Sequence, residues 1–474
     1  MKRTTSKAVM TQTPVPTPLN ISGVFPHLAV KAEHFPVRTE TGIGALMPWA
    51  NKLWFVTYVA HKKGSGDGTG LFSIDDGMRL TKHPESVVGT YANRMIHKQT
   101  SHLVIGPHLI DTEGRVRTFK DLVNTRLTAT CEHLQDPENK VYFLGMEGEF
   151  FEADVRTLKV RQLYNLLQEL EVDTKCRPHF KDAYSDHGRV VIANNSYYAG
   201  DFDRGYSDGR LAEWDGATWR VLERTQFNTV AGRKAGDLGS AIFAVGQDRA
   251  SAVFKVFLPA TGWQTYRLPK ATHTQDHAWT TEWPRIREVE SERWMMNASG
   301  MFYELPSMTY ANRVWAVRPV CSHLRIVGDY CSWNGLLVMA GDQTTPINDT
   351  NAYVGQPQAN LWFGKTDDLW AWGKPTGWGG PWWEADVKAG EPSDPYLMTG
   401  FDQKCLHLRH NRKGDVVFKV EVDFMGTGVW CPYADIAVGG SGYAHHVFPS
   451  GFSAHWVRVV VDKPCTATAQ LAYT

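Results

Sequence analysis

The chain has 474 residues, 42% hydrophobic and 21% charged, and its 50 basic and 50 acidic side chains cancel to a net charge of zero. The apolar fraction suffices for a large core. The balanced charge, with no basic stripe, argues against nucleic acid as a partner, and no apolar run is long enough to span a membrane.

Residues 1–40 are rich in Pro and Thr, carry no periodic pattern and read as an N-terminal tail. The opening stretch MKRTTSKAVMTQTPVPTPLN is basic but holds no apolar h-region. It does not read as a secretory signal, and the location of the protein stays open.

From residue 41 one unit recurs about seven times: a strand, a tight turn, then an apolar strand. The copies are LMPWANKLWFVTYV, NRMIHKQTSHLVIGPH, TCEHLQDPENKVYFLGME, KDAYSDHGRVVIANN, GRKAGDLGSAIFAVGQD, VESERWMMNASG and DYCSWNGLLVMAGD. A spacing of roughly 35–55 residues with several short strands per unit predicts a β-propeller. Its blades fall at about 41–85, 86–122, 124–162, 176–224, 226–270, 276–317 and 318–375. Between the third and fourth, RQLYNLLQELEV has leucine at helical spacing. The Gly/Pro/Trp-rich TGWGGPWWEADVKAGEPSDP breaks the pattern, and alternating strands such as VVFKVEVDF and HWVRVVVD follow. The expected fold is all-β: a seven-bladed β-propeller over 41–375 with a C-terminal β extension, 376–474, that closes the ring or packs on its side. The 18 Trp, 17 Tyr and 21 Phe fit the wedges between blades, or the stacking of sugar rings.

A propeller sets equivalent positions of each blade around one channel. Inner-strand ends put Trp49, His97, His133, Tyr184 and Tyr330 on one ring. Return-strand ends put Tyr58, His108, Glu147, Asn195, Gln247, Asn297 and Asp342 on another. The longest loop, SYYAGDFDRGYSDG, follows Asn195 and leads to Arg210, offering Tyr197, Tyr198, Arg204 and Tyr206. Tyr and Arg near His and Asn suit an anionic sugar, because Arg binds a carboxylate through two parallel hydrogen bonds. The plainer alternative is that the tyrosines pack the loop and Arg210 pairs with Glu213. Arg285 and Arg287 lie on or near the inner strand of blade 6. His277, Cys321 and His323 are ligand types for zinc that adjacent blades could bring together, tying the blades rather than catalysing. An odd count of seven scattered cysteines, without CxxC, supports no disulfide framework. GSGDGTG (64–70) lacks the Lys-Ser/Thr ending of a phosphate loop, and neither G-x-S-x-G nor HExxH occurs.

Several stretches, among them GTYANRMIH, IGPHLID, HLQDPENKVYFLGMEG, GRVVIANN, GRLAEWDG, EWPRIREVESERW, GMFYELP and GFSAHWVRV, resemble a group of seven-bladed propeller enzymes acting on uronic-acid polysaccharides. The group comprises the ulvan lyases of polysaccharide lyase family 25 and the rhamnosyl-glucuronate-cleaving propellers first filed as glycoside hydrolase family 145. The resemblance covers about residues 40–474 and implies cleavage beside a glucuronate or iduronate. It implies Tyr197 as base and acid, with His108 and Arg210 neutralising the carboxylate. His97, His133, Tyr184, Asn195, Arg204, Arg285 and Arg287 are then expected to bind substrate. It also implies a structural zinc at Cys321 and His323, joined here by His277. This chain departs from the group in placing Glu147 at the end of blade three's return strand, and Met47-Pro48-Trp49 where the glycosidase-type members have a His. The expected partner is an acidic polysaccharide or oligosaccharide, with no organic cofactor, no membrane and a monomeric chain. Hydrolysis of rhamnosyl-glucuronate from a His-centred site on the Trp49, His97 and His133 face, or sugar binding without turnover, remain the alternatives.

Overall fold

Two-residue turns fold the repeated unit back on itself. Ala50-Asn51, His187-Gly188 and Asn334-Gly335 all take left-handed φ angles, from 48° to 78°. Two successive positive φ values make a type I′ turn, whose twist matches that of the flanking strands. Each turn joins the inner strand of a blade to its return strand.

The computed structural model describes residues 22–25, 28, 30–31, 41–59, 69–198, 208–234, 240–272, 284–290, 293–306, 309, 312–346 and 355–474. Seven four-stranded antiparallel blades follow in chain order. Their inner strands are Thr41–Trp49, Arg94–His97, Leu127–Glu132, Phe180–Asp186, Gln226–Gly232, Arg285–Glu290 and Tyr330–Trp333. The inner strands of blades 1, 3, 4 and 5 each shift register near their start, at Ile43/Ala45, Leu127/Ala129, Phe180/Asp182 and Phe227/Thr229. A bulge at the same point of four blades bends each strand around the channel and increases its twist.

The apolar core lies between blades. Phe55, Phe72, Val338 and Phe363 fill the wedge between blades 7 and 1, and Tyr142, Phe150, Ile192 and Trp214 the wedge between blades 3 and 4. The aromatic residues therefore fill wedges, as the composition suggested.

Three features differ from the sequence pattern. The first 40 residues are not simply a tail. Gly23–Val24 pairs with Gly355–Gly364 as the outermost strand of blade 7, and Val30–Lys31 pairs with the same strand. The last blade is thus completed by the start of the chain, which ties the ring shut. The stretch RQLYNLLQELEV is mostly strand: Val160–Asn165 is the outer strand of blade 3, and only Leu166–Glu169 is helical, capped by the Asn165 side chain on the Leu167 amide at 3.1 Å. Arg318–Ser322, read as the start of blade 7, is the outer strand of blade 6.

The C-terminal strands pack on the side of the ring and do not close it. Tyr396–Leu397 pairs in parallel with the outer strand of blade 5, Gly262–Leu268, and carries Trp456–Val461, Val416–Asp423 and Cys431–Val438 with it. A second sheet, Gly377–Val387, Cys465–Tyr473, Lys404–His410 and Tyr443–Val447, shares a core with the first through Leu406, Leu408, Phe418, Val459 and Leu471.

The closure makes the N-terminal segment structural. Phe25, Leu28 and Val30 are all nearly or fully buried, and each large apolar side chain returned to water costs about 1.5–3 kcal/mol. Removing residues 1–31 is expected to destabilise the ring by several kcal/mol, read as a lower urea midpoint. A truncated chain that unfolds with the full-length midpoint would contradict this.

Candidate functional site in the central channel

The inner strands enclose a cavity of about 640 Å³. In a strand, residues two apart share a face, so Arg285 and Arg287 of blade 6 enter it together. Arg94 of blade 2, Asp182 and Tyr184 of blade 4, Glu132 of blade 3 and Lys234, just after the inner strand of blade 5, also line it. Asp329, immediately before the inner strand of blade 7, is fully buried beneath these groups.

Asp329 binds three blades at once. One carboxylate oxygen accepts from Arg287 Nε at 2.8 Å. The other meets Arg94 Nε at 2.8 Å and the Leu46 backbone N–H of blade 1 at 2.8 Å. Burial alone would raise this carboxyl, but the charges of Arg287, Arg94 and Arg285 outweigh it and hold it below the usual range. Asp182 accepts from Thr229 Oγ1 at 2.6 Å and the Val230 N–H at 3.2 Å, tying blade 4 to blade 5. Arg285 reaches Asp182 only at 3.8 Å and spends Nε on the Gly328 carbonyl at 3.1 Å and Nη2 on the Ala92 carbonyl at 3.3 Å.

Three guanidiniums, Arg94, Arg285 and Arg287, thus face two carboxylates, Asp182 and Asp329. Among the described residues the floor therefore holds one more guanidinium than carboxylate. Burial, and then the charge of Arg287, push Arg285 down to about 10. An arriving anion would relieve both. Toward the rim the charges balance, with Lys234 paired to Glu132 and Arg233 lying 4.0 Å from Glu288. The Tyr184 phenol is pushed far up by burial and by the charges of Asp186 and Glu132, so it stays protonated at neutral pH.

Of the residues singled out in the sequence, Tyr184, Arg285 and Arg287 come together in this cavity. The others lie elsewhere. His97 bridges blades 2 and 3, with Nδ1 on Thr100 at 2.7 Å and Nε2 on the Pro137 carbonyl at 2.8 Å. His133 Nε2 meets Glu152 at 2.8 Å while its Nδ1 accepts from the Gln135 and Asp136 amides, which folds the turn after its strand. His108 begins the third strand of blade 2 and bonds Thr118 Oγ1 at 3.0 Å. Burial and the neighbouring His83 push it down to about 4, so it is neutral.

Arg210 does not pair with Glu213. It binds Asp208 at 2.7 Å and the carbonyls of Leu170 and Glu171, closing the end of the short helix. Glu213 takes Arg189, Arg220 and Trp263 instead. Tyr197 bridges to Arg177 through backbone hydrogen bonds and packs edge-on against His179, ring centroids 5.8 Å apart. His179 is held neutral by burial and by the charges of Lys181 and Arg126, and its carbonyl accepts from the Asn195 backbone N–H at 3.0 Å. No hydrogen bond or ion pair among the described residues joins His108, Tyr197 and Arg210. His108 is engaged within the outer strands of blade 2, and Arg210 is turned toward the end of the short helix. Arg204 lies outside the described residues.

Cys321 and His323 lie at the end of the outer strand of blade 6. The Cys321 thiol is buried and pushed up to about 12, and His323 is pushed down to about 4, chiefly by burial, with Nε2 on Asn297 Oδ1 at 2.8 Å. A neutral imidazole is a competent ligand, but a protonated thiol must lose its proton to a metal. The third expected ligand, His277, lies outside the described residues. Among the described residues no three His, Cys, Asp or Glu side chains form a metal-holding group.

Sequence reasoning missed Arg94, Glu132, Asp182, Lys234 and Asp329. A signal was there for two of them. The copies KDAYSDHG and DYCSWNG each place an Asp at or just before the inner strand, and in blades 4 and 7 these are the carboxylates of the floor.

Removing the Asp329 charge should test how far the ring depends on it. Asp329→Asn leaves Arg94 and Arg287 uncompensated, and breaking a buried pair in this way costs about 3–5 kcal/mol. Because its folded pKa is lowered, Asp329 contributes stability above the ordinary carboxyl range, about pH 4, and loses it as pH falls through the folded value. The wild-type urea midpoint is therefore expected to decline on acidification by a margin that Asp329→Asn lacks. Parallel curves for the two proteins would contradict the assignment.

No family model matches the chain, and no curated protein matches it. Solved structures do. The nidogen/laminin complex matches at 10% identity, covering 56% of this chain and 89% of that chain, with a TM-score of 0.32. The β-propeller domain of Myceliophteria thermophila Cps50 (Swd1) matches at 11% identity, covering 70% and 99%, with a TM-score of 0.39. The chain is a β-propeller, on the evidence of its own seven radial sheets.

Proposed function

We propose that the channel cavity binds the uronate of an acidic polysaccharide or oligosaccharide and that the protein cleaves the chain there by β-elimination. The observation that carries this reading is the convergence of three arginines, Arg94, Arg285 and Arg287, on one cavity, where low dielectric strengthens their pull on an anion. A carboxylate facing Arg285 and Arg287 gains charge-assisted hydrogen bonds. Neutralising that carboxylate acidifies the C5–H beside it, because the carbanion-like transition state spreads charge onto the carboxyl oxygens.

In this reading the Glu132 carboxylate takes the C5 proton. The C5–H electron pair forms the C4=C5 bond, and the C4–O4 bond breaks with its electrons leaving on O4. Tyr184, kept protonated by its surroundings, delivers a proton to that oxygen. The roles first expected of Tyr197, His108 and Arg210 pass to residues that share one cavity. A structural zinc at Cys321 and His323, with His277 as third ligand, belongs to the same proposal. Hydrolysis is the second reading, favoured by the rim carboxylates Glu132, Glu288 and Glu290.

Incubation with ulvan or rhamnose-capped arabinogalactan separates the two. Elimination raises the ultraviolet absorbance of a conjugated uronate, whereas hydrolysis gives new reducing ends without it, and neither product would end both readings. Tyr184→Phe and Glu132→Gln are each expected to lower kcat by about 10²–10⁴-fold. Arg287→Gln is expected to raise KM by about ten-fold or more. Full activity in Tyr184→Phe together with its loss in Tyr197→Phe would return the chemistry to the other mouth of the channel. Elemental analysis of the purified protein is expected to find one zinc per chain, lost in Cys321→Ser.

A further inference from the structure

We propose that a cleft where blade 5 meets the C-terminal sheets is a second sugar site, taking a neutral pyranose unit of the same polymer. This rests on the carbohydrate reading of the channel. The cleft has a volume of about 480 Å³ and is lined by Asp248, Arg249, Arg267, Trp382, Trp383 and Asp394, among others.

Its construction comes from the Gly-Gly-Pro-Trp-Trp run. A Cβ at Gly380 would stand 2.0 Å from the Ala469 carbonyl, so only glycine lets the strand Gly377–Val387 pass this close. The Gly380 N–H then bonds the Ala250 carbonyl of blade 5 at 3.0 Å, which locks the strand against the blade's hairpin. Successive strand residues point to opposite faces. Trp382 is buried at 9% exposure, and Trp383 remains 43% exposed beside the cleft.

The polar wall is equally fixed. Arg267 makes two bonds to Asp248, at 3.0 and 2.8 Å, one to Asp394 at 2.9 Å and one to Ser251 Oγ at 3.1 Å. Asp248 also accepts from the Ala250 and Ser251 amides. A partly exposed indole offers an apolar plane for the C–H face of a pyranose, and the carboxylate and guanidinium edges offer acceptors and donors to its hydroxyls. Two arginines, Arg249 and Arg267, balance two aspartates, Asp248 and Asp394. The cleft therefore lacks the extra guanidinium of the channel floor and suits a sugar without a carboxylate.

Saturation-transfer NMR on the full chain tests this with neutral rhamno-, galacto- and xylo-oligosaccharides as probes. At least one probe is expected to receive saturation on its ring C–H protons. Trp383→Ala is expected to weaken that binding about ten-fold, with partial recovery in Trp383→Phe. Lys234→Gln, at the rim of the channel, is expected to leave it unchanged. No transfer to any probe, or transfer that survives Trp383→Ala, would overturn the proposal, as would loss in Lys234→Gln with Trp383→Ala unaffected, which would place the neutral sugar in the channel. Persistence of the cleft signal in a protein that turns over no uronate polymer would sink the channel chemistry and leave the cleft standing.

Discussion

Asp329 is the interaction on which the centre of this molecule depends. Blades of a propeller share few backbone hydrogen bonds with one another, and along most of their length they meet through apolar wedges that specify contact but not orientation. A carboxylate carried by blade 7 that accepts from a backbone amide of blade 1 and from an arginine of blade 6, and pairs in charge with an arginine of blade 2, fixes four blades about one point. An unpaired charge at such depth would be prohibitive, so the arginines are obligatory partners of the fold. The outer closure, in which residues 23–24 complete blade 7, performs the same task at the rim with backbone hydrogen bonds.

The same cluster creates the functional asymmetry. Asp329 satisfies Arg94 and Arg287 closely, and Asp182 is largely engaged by Thr229 and Val230. Arg285 bonds the Gly328 and Ala92 carbonyls and lies 3.8 Å from Asp182. Carbonyl dipoles solvate a guanidinium without cancelling its charge. The floor is thus built to hold the ring together, with one more guanidinium than carboxylate among the described residues. Around it the rim is paired, and the cleft at blade 5 is balanced. A polymer with alternating charged and neutral units would find a different electrostatic environment at each place.

Much of the fold was legible in the sequence, because its signals are local. Asn-Gly and His-Gly turns, apolar return strands and the recurring unit each depend on neighbours a few residues away. The closure strand was not legible: Gly23–Val24 is too short for any pattern and acquires its role from a partner near residue 362. The leucines of RQLYNLLQELEV misled for a related reason. Pairing with the third strand of blade 3 overrode helical spacing along its first half.

The candidate site divides along the same line. Arg285 and Arg287 were visible as an alternating pair on an inner strand, and Tyr184 as a strand-end aromatic. His97 and His133 looked equivalent to Tyr184, yet the Pro137 carbonyl and the Glu152 carboxylate claim them. By itself the sequence determined the repeat, the turns, the all-β radial architecture and which residues could carry charge toward a channel, since these follow from period and local backbone preference. Only the tertiary structure decided which charges meet, because Coulomb and hydrogen-bond energies depend on distance through space, and the residues of the floor are spread over more than 230 positions of chain from Arg94 to Asp329.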